Sequence, residues 1–177
     1  LEGLDLLYSS GQGNEAEAYL KKGLKQAAAA GENGSILAIL NELMGYYRAA
    51  GRYEECLLCA DQAMELADAM GLSGTMEYGT MLLNVATGYR AAGNYAEAEA
   101  LYRQAHLIFR KHVTGPDYRM ASLHNNLSLL YSETGSLTRP NRSWNWRWIS
   151  SRNWMMRKSR WPLHTQILGI SVFRCRR

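Results

Sequence analysis

Apolar residues recur three and four positions apart through most of the first 138 positions of the chain. Leu82, Val85, Ala86 and Tyr89 form one such stripe, and Tyr95, Ala98, Tyr102, Ala105 and Ile108-Phe109 form the next. That spacing gathers the apolar side chains on one face of a helix. Between the two stripes stands Gly93. A helix commonly ends on a residue in the left-handed conformation, which Gly adopts without the penalty a Cβ brings. The pattern therefore predicts a helix, a glycine turn and a second helix that returns along the first.

This unit repeats. Tyr47-Arg48-Ala49-Ala50-Gly51-Arg52-Tyr53-Glu54-Glu55 recurs as Tyr89-Arg90-Ala91-Ala92-Gly93-Asn94-Tyr95-Ala96-Glu97, and more loosely as Tyr131-Ser132-Glu133-Thr134-Gly135-Ser136-Leu137. Gly51, Gly93 and Gly135 are each 42 residues apart. A generic helical bundle has no need of a constant period, whereas a stack of identical helix pairs does. The expected units are 35–71 and 75–114, with a half unit at 116–137 and a degenerate one at 2–30, carried by Gly11 and Glu15-Ala16-Glu17-Ala18-Tyr19-Leu20. Together they make residues 1–138 an all-α repeat array. The small pairs Ala49-Ala50 and Ala91-Ala92 are expected to let paired helices approach closely. Gly71-Leu72-Ser73-Gly74 and Thr114-Gly115-Pro116-Asp117 read as connectors, with Pro116 suited to a first helical position and Asp117 to the positive end of the helix dipole.

Tyr89…Gly93-Asn94-Tyr95-Ala96-Glu97-Ala98…Tyr102…Ala105 resembles a tetratricopeptide repeat. The 42-residue period, longer than the usual unit of about 34, resembles the variant of kinesin light chains and many bacterial members. The resemblance covers residues 35–137. It implies an α-solenoid of antiparallel helix pairs whose first helices line a concave face that binds a peptide or protein segment. In such proteins an Asn five residues before the repeat Tyr often holds the partner's backbone. Asn84 and Asn126 match that place, and Glu42 occupies it in the first unit. Asn41 and Asn125, one position earlier, join them as candidate groove residues. Arg48 and Arg90 follow the repeat Tyr, with Ser132 in the third unit, and two guanidiniums on one face would favour a carboxylate. Glu42 and the lack of Lys argue against the dicarboxylate clamp of the chaperone-binding members.

Charge divides the chain. The net +4 conceals ten basic against sixteen acidic residues in 1–138, a balance of −6, and ten basic residues with no acid in 139–177. All five Trp and none of the Tyr fall in the second segment. This tail carries no helical or strand period, and its Trp and Met codons, each unique, allow a shifted frame to be tested from the protein. With codons read one base out of step, Trp144-Asn145 gives Glu, Trp148-Ile149, Trp154-Met155 and Met155-Met156 give Asp, and Trp161-Pro162 gives Ala. Such residues suit a further repeat helix. The tail is thus expected to be a frameshifted, disordered segment, starting from the loss of a base near Thr138. A genuine basic, aromatic tail would instead grip nucleic acid or an anionic membrane.

Little else carries chemistry. Cys56-Leu57-Leu58-Cys59 is a CxxC within a repeat helix, where Cys56 takes the place of Ala98 and reads as core. The third cysteine is Cys175, so no second pair completes a metal site. His106, His112 and His124 are scattered and read as surface or packing residues. No phosphate loop, HExxH or GxSxG occurs, and no apolar run is long enough to span a membrane. Neither catalytic residues, nor a metal, nor a cofactor is expected, and a cytoplasmic protein-binding role is. Because the sequence begins at Leu1 rather than Met, a fragment is expected, and a truncated array exposing an apolar end face is expected to be poorly soluble.

Overall fold

The computed structural model describes residues 13–135, which hold six helices and no strand. They are α1 (Gly13–Ala30), α2 (Asn33–Ala49), α3 (Tyr53–Ala69), α4 (Met76–Ala91), α5 (Tyr95–His112) and α6 (Tyr118–Glu133). The readings of residues 1–12 and of the basic tail lie outside the described residues.

Each repeat glycine turns the chain as its position demands. Gly51 has φ 72° and Gly93 φ 84°, both in the left-handed region. At the first turn the Arg52 N–H donates to the Tyr47 carbonyl at 2.8 Å and the Gly51 N–H to that of Arg48 at 3.2 Å. At the second, Asn94 donates to Tyr89 at 2.9 Å and Gly93 to Arg90 at 3.0 Å. These paired bonds satisfy helix-end carbonyls that would otherwise lack partners. Repetition of Tyr-Arg-Ala-Ala-Gly thus encodes a helix stop. At the start of α6 the Asp117 carboxylate accepts from the Arg119 N–H at 2.8 Å and caps the helix. Pro116 therefore lies one residue ahead of the cap, not in the first helical turn as its φ preference suggested.

The helices stack in two layers. α2 pairs with α3 and α4 with α5, while α4 also packs on α3 and α2, and α6 packs on α5 and α4. The first helices α2, α4 and α6 stand side by side, backed by α1, α3 and α5. Leu40, Leu43, Met44 and Tyr47 of α2 bury against Cys56, Ala60 and Ala63 of α3. Leu82 and Ala86 of α4, Ala98, Tyr102, Ala105 and Phe109 of α5, and Leu123, Leu127 and Leu130 of α6 form the adjoining cluster.

Of the two small pairs expected to bring helices together, Ala91-Ala92 is half-buried and Ala49-Ala50 is not. Ala49 and Ala50, at the end of α2 and its C-cap, are exposed. The close approach comes instead at Gly79, where an added Cβ would lie 2.8 Å from Cε1 of Phe109, and at Gly88, where it would meet the Cys56 sulfur at 3.0 Å. A helix-interior glycine costs helix propensity and is retained here where only a hydrogen fits.

Candidate peptide-binding face

The first helices carry every candidate groove residue. Asn41 and Arg48 sit on α2, Asn84 and Arg90 on α4, and Asn125 and Asn126 on α6. Asn125 is exposed and the other five are half-buried. Two contacts between first helices follow a step of 43 residues, one more than the repeat. The Asn84 side-chain N–H donates to Oδ1 of Asn41 at 2.6 Å, joining α4 to α2. The Arg90 guanidinium pairs with the Glu133 carboxylate, joining α4 to α6.

The same step also creates mismatches. It carries Arg48 to Ala91, and it carries Leu83 to Asn126. Asn126, facing an apolar position by register, turns its amide N–H back to the Ser122 carbonyl at 3.0 Å. Arg48 has no carboxylate partner among the described residues. Burial pushes its guanidinium below the ordinary arginine value, and the like charge of Arg90 acts in the same direction. Arg remains protonated in any such setting. The Nε–H of Arg90 is buried and has no hydrogen-bond partner among the described residues.

Behind this row, the repeat tyrosines tie each first helix to the second helix before it. The hydroxyls of Tyr47, Tyr89 and Tyr131 reach Glu17 at 3.1 Å, Asp61 at 3.2 Å and Glu99 at 2.8 Å. Glu17 is the most heavily used of these acids. It also accepts from Lys21 and Arg52, and hydrogen bonds from Lys21, Arg52 and Tyr47 hold its pKa at about 2 against the opposing effect of burial. The Arg52 guanidinium lies over the Tyr47 ring at 4.6 Å. Deeper in, the Tyr102 hydroxyl donates to Oγ1 of Thr87 at 3.0 Å, and Thr87 donates to the Leu83 carbonyl at 2.7 Å. A tyrosine and a threonine are thereby buried with their polar atoms satisfied.

The cysteines of the described residues are packed in the core. Cys56 and Cys59 are free and buried, and burial raises both thiols, that of Cys59 to about 11. Cys56 occupies the core position expected from Ala98. Two histidines read as unrelated come together, for His106 of α5 and His124 of α6 meet edge to face at 5.8 Å. Burial lowers both, and the His124 charge helps bring His106 to about 4. They stand on successive helices, and their separation of 18 residues is not the 42 of the repeat, so only the fold reveals the pair. Glu133 was missed too, because its 43-residue step from Arg90 departs by one position from the repeat. Among the described residues no group of three or more His, Cys, Asp or Glu could hold a metal ion, and no helix is long and apolar enough to cross a membrane.

Comparison with known proteins agrees with this architecture. Residues 77–138 match the family model of the tetratricopeptide repeat. The solved structure of BtubC (BKLC) from P. vanneervenii is similar, with a TM-score of 0.65 and 24% sequence identity over 74% of this chain and 52% of that one. This chain thus spans about half the length of BtubC, and at that identity the likeness speaks for the fold. No curated protein matches. The chain is a helical solenoid with its turn glycines in 42-residue register, and its α4 to α6 match the model of the tetratricopeptide repeat.

Proposed function

We propose that the face formed by α2, α4 and α6 binds an extended peptide or protein segment and performs no catalysis. Tetratricopeptide repeats make the chain, in general terms, a protein–protein interaction module. The observation that carries the finer reading is the Asn41–Asn84 pair. That single bond uses one acceptor and one donor, leaving Oδ1 of Asn84 and the Nδ2 hydrogens of Asn41 without partners among the described residues. A carboxamide has more hydrogen-bonding capacity than one bond fills. The spare acceptor and donor match the N–H and C=O of a backbone laid across the two helices. Asn126 and the exposed Asn125 extend the polar row onto α6, and Arg48 and Arg90 stand one to two turns further along α2 and α4. A cytoplasmic setting belongs to this reading, supported by the free, buried thiols of Cys56 and Cys59.

The test is selection of a random peptide library on the full chain, followed by titration of the enriched peptides. Asn84→Ala should weaken them by about tenfold, as expected for losing a hydrogen bond in a desolvated groove. Leu107→Ala, on the exposed side of α5, should leave binding unchanged. Equal binding by Asn84→Ala and the wild type would refute the assignment of the face.

A further inference from the structure

Two arginines hold equivalent places in successive repeats and have unlike surroundings. Arg90 is matched by Glu133 on the next first helix. The same 43-residue step from Arg48, one repeat earlier, falls on Ala91, which has no acid to offer. Arg48 is half-buried between α2 and α4, within electrostatic range of Cys56, Tyr102 and Arg90, and none of these supplies a negative counter-charge while Cys56 and Tyr102 stay protonated. Burial raises both of those groups, which keeps them neutral near pH 7. A guanidinium taken partly out of water beside another guanidinium is costly unless an anion compensates it.

We infer that Arg48 is a specificity site for one acidic side chain of the bound peptide, whose carboxylate takes at the α2–α4 junction the place that Glu133 takes at the α4–α6 junction. The inference rests on the peptide-binding reading of this face and adds to it the chemical class and position of one ligand residue. The planar guanidinium presents paired N–H donors that a carboxylate accepts with two oxygens. The backbone lies on the Asn41–Asn84 pair, and Asn41 and Arg48 are seven residues apart on α2, so both fall on one side of that helix. The acidic residue therefore lies about two helical turns, or roughly 10 Å, from the backbone contact, a span of about three extended residues.

The test uses the peptides selected on the full chain. They should share an Asp or Glu, and exchanging it for Asn or Gln should weaken binding by about tenfold or more. Arg48→Gln should cost the same factor with the acidic peptide and nothing further with the amide peptide. A second variant guards against misfolding. Ala91→Glu supplies the missing carboxylate within the chain, so it should keep the helical circular dichroism of the parent and lose the preference for an acid. Peptides that depend on Asn84 but share no acid, or that bind Arg48→Gln and Ala91→Glu as they bind the parent, would overturn this inference and leave the groove standing. Failure of any peptide to be enriched, or binding insensitive to Asn84→Ala, would overturn both.

Discussion

The spacing between α4 and α5 hangs on the absence of one methyl group, and a paired substitution measures it. Gly79 lies early in α4 with Phe109 and Ile108 of α5 against its backbone. A Cβ there would stand 2.8 Å from Cε1 and 3.1 Å from Cδ1 of Phe109, and 3.0 Å from Cγ2 of Ile108. The Phe109 ring is fully buried and cannot swing into solvent. At Gly45, inside α2, a Cβ would have nothing within 4 Å. Replacing Gly by Ala inside a helix gains about 1 kcal/mol of propensity, and this gain applies at both sites. Overpacking a close-packed core costs about 1–3 kcal/mol, and this cost applies only at Gly79. Gly45→Ala should therefore stabilise by about 1 kcal/mol, and Gly79→Ala should be neutral to destabilising by about 2 kcal/mol. The difference isolates the steric contribution. Followed by circular dichroism, it should separate the two melting temperatures by roughly 4–12 °C, at about 4 °C per kcal/mol for a domain of this size. If Gly79→Ala raises the midpoint as far as Gly45→Ala does, α4 and α5 do not touch as described.

Stability should fall on acidification from about pH 6.5, before most carboxylates titrate. His106 binds its proton near pH 4 in the folded state and near 6.5 when unfolded. The unfolded chain therefore holds more protons throughout that window, and stability declines as pH drops through it. His106→Gln should flatten the dependence of melting temperature on pH between 6.5 and 4, with His124, also depressed by burial, leaving a smaller slope; an unchanged slope would contradict the burial of the pair. Alkylation mapped by peptide mass spectrometry should modify Cys56 and Cys59 at least about tenfold more slowly in the native protein than in denaturant, because both thiols are buried and protonated. Equal rates would mean that α3 opens readily.

What could be read in the chain and what could not differ in physical kind. Turn glycines are legible because a backbone at φ 72° or 84° excludes nearly every other residue, so Gly51 and Gly93 advertise their conformation locally. Buried stripes are legible because one helix face suffices to define them, and Leu82, Val85, Ala86, Ala98, Tyr102 and Ala105 are all buried. Contacts between repeats belong to no single helix. Asn84 was readable as a residue of a first helix, yet its bond to Asn41 depends on how far one first helix slides against the next. That slide appears as a 43-residue step laid over a 42-residue repeat, a difference of one position that the repeat alone conceals. A 42-residue step from Arg48 falls on Arg90 and a 43-residue step falls on Ala91, so neither supplies an acid, and Arg90 stays within electrostatic range. The error over Ala49-Ala50 has the same origin, since small size says that helices could approach and only register says where they do. In a solenoid the repeat fixes the unit and the stagger between units assigns the partners, and the stagger assigns Arg48 no acid among the described residues.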